Sequence, residues 1–183
     1  MENKTLQEFK SVIEQCRLVF LKKTADYGTA WRILRTQSLT DQIMIKAQRI
    51  RNIEETGRQQ VADSIYSEYV GIINYSLLAL IQLHLPPQTP LELPVEQAEL
   101  LYNERVSEIM QTLLAKNHDY GDIWRSMRIS SFTDLILMKL LRIKQIEDNA
   151  GKTLVSEGVD ANYTDIINYA VFALIKLSPM QQA

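Results

Sequence analysis

Lysines, arginines and carboxylates recur in this chain at positions where a helix would turn them inward. Residues 26–54, DYGTAWRILRTQSLTDQIMIKAQRIRNIE, and residues 119–147, DYGDIWRSMRISSFTDLILMKLLRIKQIE, align without a gap at a spacing of 93, with 15 of 29 positions identical. Three of the shared residues are Ile; the rest are Asp, Tyr, Gly, Trp, Arg, Ser, Thr, Lys and Glu, mostly polar or special-purpose types. Placed on a helix at about 100° per residue, Ile43/Ile136, Ile50/Ile143 and Ile53/Ile146 mark an inward face. Lys46/Lys139, Arg49/Arg142 and Glu54/Glu147 fall within or beside that arc. Charges on an inward face are costly unless they are paired or bind something. Two readings follow: an internal ion-pair network, or a site in which Lys139 and Arg142, one turn apart, grip a phosphate.

A further set lies downstream. On a helix spanning residues 155–177, Glu157 and Asn168 fall on nearly one line, with Asp165 within roughly 80°. Carboxylates near cations are how a helical protein builds a magnesium site for a polyphosphate. Glu147, Glu157 and Asp165 are therefore the expected Mg2+ ligands and catalytic acids. Asp63 and Asn74 are the first-half counterparts of Glu157 and Asn168, but Gly71 stands where Asp165 should be, so the two halves are unequal. Glu157 also reads as a first-turn acid favoured by the helix dipole.

Other candidates carry plainer explanations. Asp41 and Asp134 fit a capping box with Ser38 and Ser131 as N-caps. Tyr27/Tyr120 and Trp31/Trp124 could stack on a base, with core packing the expected role for the tryptophans. Asp26 and Asp119 oppose the dipole at a helix end, which calls for a partner such as Arg32 or Arg125. Cys16 aligns with Ile109 and reads as a buried apolar residue. His84 and His118 belong to no zinc-spaced cluster and read as surface residues.

These residues need helices to position them. The chain of 183 residues is 46% apolar and 23% charged, a globular balance. Four of its five prolines fall in LPPQTPLELP, which no helix can cross. The organisation expected is a first three-helix repeat over residues 1–84, a Pro-rich linker over 85–95 and a second repeat over 96–183. Leu6, Phe9, Ile13, Cys16 and Phe20, like Tyr102, Val106, Ile109 and Leu113, keep amphipathic spacing for each repeat's first helix. Gly28 and Gly121 close these helices. The second helices run to about residues 56 and 149, and the third cover 61–83 and 155–177. No strand signal intervenes. The fold class expected is all-α, two tandem repeats packed as one pseudo-twofold bundle.

Composition limits the partners. A net charge of −2 and a pI near 5.8 leave no footprint for a polynucleotide, although a small nucleotide needs only two or three cations. No run is apolar enough to span a bilayer. One cysteine and a polar opening without a signal-peptide core point to the cytoplasm. A monomer and a homodimer both fit the duplication.

The order DYG, W, D, then K and RI, then a late acid and NY resembles a bacterial and phage family of unknown function, the nucleotide-modification-associated domain of the first type. The resemblance covers nearly the whole chain, twice. It implies importance for Asp119, Tyr120, Gly121, Asp134, Lys139, Arg142, Glu157, Asp165, Asn168 and Tyr169, and for their first-repeat partners. The chain is also distantly similar to the all-α nucleotide pyrophosphohydrolases, which hold magnesium with ExxE and ExxD pairs. Neither pair is present here, since Glu54–Glu55 and Glu147–Asp148 are adjacent residues, and that departure favours binding over catalysis. The expected ligand-binding set is Asp119, Tyr120, Lys139, Arg142 and Asn168, with Asp26, Tyr27, Lys46, Arg49 and Asn74 in the first repeat. The expected function is binding of a nucleotide or other phosphorylated small molecule, possible pyrophosphohydrolase-like activity included. The competing expectation is a non-enzymatic interaction or oligomerisation module whose inward charges are structural ion pairs.

Overall fold

The computed structural model describes residues 3–60 and 63–181. They form six α-helices: α1 (Lys4–Tyr27), α2 (Thr36–Thr56), α3 (Ile65–His84), α4 (Val95–Tyr120), α5 (Ile129–Asp148) and α6 (Val159–Gln181). A single 3-10 turn precedes each repeat's second helix, at Ala30–Ile33 and Ile123–Ser126. There is no strand among the described residues, and the architecture is an all-α bundle of two three-helix repeats. Among the described residues no helix is long and apolar enough to cross a membrane.

Local chemistry sets the element ends. The Asn3 side chain accepts from Thr5 N at 2.9 Å to start α1, and Ser64 does the same for Ser67 N at 3.1 Å to start α3. Gly28 and Gly121 each take φ of +61°, which a side chain would strain, and their N–H groups bond back into the helices they end. The 3-10 turns are held from behind by the third helices. Gln82 donates to the carbonyls of Arg32 and Leu34 at 2.9 and 2.8 Å, and Lys176 donates to those of Arg125, at 2.8 Å, and Met127.

The core is centred on α2, α3, α5 and α6, and α1 and α4 pack onto it with buried residues such as Phe9, Cys16, Ala98 and Tyr102. Ile72, Ile73 and Leu77 of α3 and Ile166, Ile167 and Leu174 of α6 are fully buried. Each such side chain contributes about 1.5–3 kcal/mol of burial. Where α2 meets α5, the polar contacts repeat about the pseudo-twofold axis. Thr40 pairs with the Tyr163 hydroxyl at 2.5 Å, and Thr133 with that of Tyr69 at 2.6 Å. Lys144 reaches Asp41 at 2.9 Å, and Arg51 reaches Asp134 at 3.5 Å.

Two sequence expectations are corrected here. Ser38 and Ser131 are not N-caps: the helices start earlier, at Thr36 and Ile129, with Arg35 and Arg128 in the cap positions. Asp41 and Asp134 are thereby freed for the cross-repeat ion pairs. The third helices start later than expected, at Ile65 and Val159. Val61, the expected first residue of the earlier one, lies outside the described residues.

Candidate functional site

The inward cations of both second helices find carboxylates, but not the same one. In the first repeat Glu68, on the first turn of α3, is buried and takes Lys46 at 3.7 Å and Arg49 at 3.2 Å. Arg49 also donates to the Asp63 carbonyl at 2.8 Å. The counterpart of Glu68 in α6 is Asn162, whose amide turns back to Gly158 O at 2.8 Å. The acid reappears one turn later, at Asp165, about 4.5 Å further along the helix. Asp165 takes Lys139 at 2.8 Å and Lys116, from α4, at 3.0 Å.

That one-turn shift changes what the helices can do. Opposite Gly71, the Lys46 stem occupies the space a side chain would need: a Cβ there would lie 2.8 Å from Lys46 Cε. On this helix α1 packs directly on α3. Asn74 Nδ2 donates to Cys16 O at 3.0 Å, and Asn74 Oδ1 accepts the Tyr102 hydroxyl at 2.8 Å, while the Tyr102 ring stacks on Phe20 at 4.7 Å. The linker adds a cover over the first 3-10 turn. Thr29 donates to Leu91 O at 2.7 Å and accepts from Leu93 N at 2.9 Å, and Arg32 bonds Gln82 and the Thr89 carbonyl.

In the second repeat, α4 packs on α1 and α3 and barely touches α6. A cavity of about 380 Å³ opens between them, with Lys116, Tyr120, Asp165, Asn168 and Tyr169 on its walls beside apolar Leu113, Ile123 and Phe172. Asn168 is 5% exposed, and its Oδ1 is buried with no hydrogen-bond partner. Trp124 also lines the cavity, and its Nε1 is likewise buried and unpartnered. Phe172 stacks on the Trp124 ring at 4.4 Å, and the Arg125 guanidinium lies 4.3 Å over it. Trp124 therefore offers the cavity its edge, and the open aromatic faces are those of the tyrosines.

Electrostatically the wall is an ion-pair triad with one cation in excess. Burial alone would raise the Asp165 carboxyl; hydrogen bonds and charge from Lys139 and Lys116 outweigh it and hold the group below the usual carboxylate range. Lys139 and Asp165 keep 13% and 15% side-chain exposure, whereas Lys116 keeps 52%. Lys116 was missed in reading the sequence, although its signal was there. Lys23 and Lys116 stand three residues before each DYG at the same spacing of 93, just outside the aligned stretch.

The structure brings Asp165, Lys139, Asn168 and Tyr120 together and leaves other candidates elsewhere. Glu147 sits at the α2–α5 seam, accepting from Thr40 at 3.4 Å. Burial there pushes its carboxyl up, helped by Asp41 and Asp148 and opposed by the Thr40 hydrogen bond and Lys144. Its companion hydroxyl, Tyr163, leaves α6 about 160° away from Asp165. Glu157 is exposed, two residues before α6, and so does not share a helical line with Asn168. The three expected magnesium ligands are thus not one set, and no group of three His, Cys, Asp or Glu among the described residues is placed to hold a metal ion. Arg142 is exposed, so it does not join Lys139 in a buried grip. Asp26 and Asp119 are exposed at their helix ends; Asp119 meets His118 at 3.1 Å rather than an arginine. Tyr27 is exposed, and Asn74, Lys46 and Arg49 are engaged inside the first repeat as described. Cys16 is buried, and its thiol is pushed up to about 12 by burial, as an apolar role requires.

Fold and site together define a duplicated all-α protein in which one repeat is closed and the other holds an open, polar-tipped cleft. Two segments, residues 23–83 and 116–177, match the family described as Nucleotide modification associated domain 1. They begin at Lys23 and Lys116 and together span about two-thirds of the chain, which belongs to this family as a tandem repeat. No curated protein and no solved structure matches the chain.

Proposed function

We propose that the protein binds a nucleotide or a similar phosphorylated small molecule, in the cleft between α4 and α6. The observation that carries the reading is a cavity walled by Lys116, Asp165, Asn168 and two tyrosines, with the Asn168 Oδ1 buried and unpartnered behind the wall. An unsatisfied buried acceptor costs about 1–3 kcal/mol, so the Asn168 amide can turn toward a ligand in the cavity without breaking a bond of its Oδ1. A cavity of about 380 Å³ falls in the range of small-molecule sites. Tyr120 and Tyr169 supply flat surfaces for a base, and Lys116 supplies the cation for a phosphate. The family's printed description, which mentions nucleotide modification, points the same way. Glu147, Glu157 and Asp165 do not form a magnesium cage, so a metal could come only on the ligand's own phosphates.

The test is a panel of nucleosides and their mono-, di- and triphosphates, with and without magnesium, read by melting temperature. A ligand at 100 times its dissociation constant adds about 2.7 kcal/mol of stability. In the Asn168→Leu variant the apo melting temperature should hold or rise, since a buried unsatisfied acceptor is removed, while the ligand shift falls with roughly tenfold weaker binding. A variant that loses stability yet keeps full affinity would refute the role given to Asn168.

The second reading, a non-enzymatic interaction module with structural ion pairs, is favoured by the first repeat. There Glu68 absorbs both Lys46 and Arg49 inside the bundle. A panel without any shift would extend that account to the second repeat.

A further inference from the structure

We infer that the cleft selects a nucleoside monophosphate, bound without a metal ion, with Lys116 as the phosphate anchor. The inference rests on the reading of the cleft as a nucleotide site and specifies its charge state. Lys139 and Asp165 form a mostly buried pair at 2.8 Å whose charges cancel. Lys116 adds one further cation, half-exposed on α4, 3.0 Å from the same carboxylate. Outside the lining, exposed Asp119 lies 3.1 Å from His118 and adds a negative charge of its own when that imidazole is neutral. The Lys139–Asp165–Lys116 triad by itself carries one excess positive charge, which meets part of the roughly −1.5 to −2 of a single phosphate group.

A triphosphate does not suit this wall. Its additional charges would face Asp165, and the magnesium that normally neutralises them takes carboxylate and other oxygen ligands. The cavity's own carboxylate is already shared by two lysines, and no group of three His, Cys, Asp or Glu is placed for a metal among the described residues. A monophosphate asks less: Lys116 turns from Asp165 to the phosphate, and Asp165 keeps Lys139.

Calorimetry on the full chain tests this with the common ribo- and deoxyribonucleosides, their monophosphates and their triphosphates, each in EDTA and in magnesium. The expected result is a monophosphate that binds in EDTA, roughly tenfold to hundredfold tighter than its nucleoside. Lys116→Ala should erase that increment, with a small loss of melting temperature from the ion pair to Asp165, and Lys116→Arg should restore most of the increment. A triphosphate that binds more tightly than the monophosphate, and only with magnesium, would overturn the inference and leave the nucleotide reading standing. An increment that survives in Lys116→Ala would remove Lys116 as the anchor. If none of these compounds binds, the nucleotide reading falls with the inference.

Discussion

In the first repeat Asn74 donates to Cys16 O on α1 and accepts the Tyr102 hydroxyl from α4, whereas in the second the carbonyl of Asn168 is buried without a partner. The asparagines are counterparts, and so are the helices around them. What differs is the acid that serves the inward lysine. Glu68 lies one turn before Gly71, in the repeat where α1 packs on α3; Asp165 stands in place of that glycine, holds Lys116 of α4 and lines a cleft. A duplicated fold can therefore keep its core and divide its labour by moving one carboxylate a single turn.

The largest expected effect comes from breaking the closed half. Glu68→Gln leaves Lys46 and Arg49 without their carboxylate, at a cost of about 3 kcal/mol, the low end for a buried pair because both cations keep some solvent contact. Chemical denaturation measures it, and ligand binding should not change. The comparison sharpens in the double variant Glu68→Asn/Gly71→Asp, which writes the second repeat's pattern into the first. There the new acid can meet Lys46 and Lys23, and about half of the lost stability should return. No recovery would mean that Lys46, packed against Gly71, cannot make room for it.

A smaller effect tests the orphaned asparagine. At a spacing of 93, Phe9 is the counterpart of Tyr102; it is fully buried and has no hydroxyl to donate. Phe9→Tyr should raise stability by about 1 kcal/mol through a bond to Asn168 Oδ1. An unchanged or lowered melting temperature would show that the pseudo-symmetry does not extend to this contact.

The smallest effect concerns the seam that the repeats share. The Glu147 carboxyl is raised in the fold, so the folded state binds its proton more tightly than the unfolded chain does. The contribution of this group to stability therefore increases as pH falls from neutral through the raised value toward the ordinary glutamate range. Glu147→Gln should gain up to about 0.5 kcal/mol at pH 7, and the gain should shrink near pH 5. Melting curves at the two pH values check this, and a loss of ligand binding would return Glu147 to the site.

Much of the architecture was legible because it depends on local, periodic terms. The prolines bracketed the junction between α3 and α4, and the glycines after DYG marked helix ends. Amphipathic spacing in α1 and α4 picked out Phe9, Cys16, Tyr102 and Ile109, all buried. The misses share a cause. Asp41 and Asp134 satisfied a local capping pattern, yet their partners Lys144 and Arg51 come from the other repeat. Glu157 looked aligned with Asn168 only while α6 was assumed to begin before it.

By itself, then, the sequence determined the helices, the duplication and the inventory of charged residues that must be buried or bound. Those follow from periodicity, chain breakers and the cost of desolvating charge, all of which act over a few residues. Only the tertiary structure decided which charge meets which. Lys116 and Asp165 are 49 residues apart, and Thr40 and Tyr163 are 123 apart. Whether such groups close a helix pair or line a cleft depends on the separation of α4 from α6, a distance set by packing across both repeats.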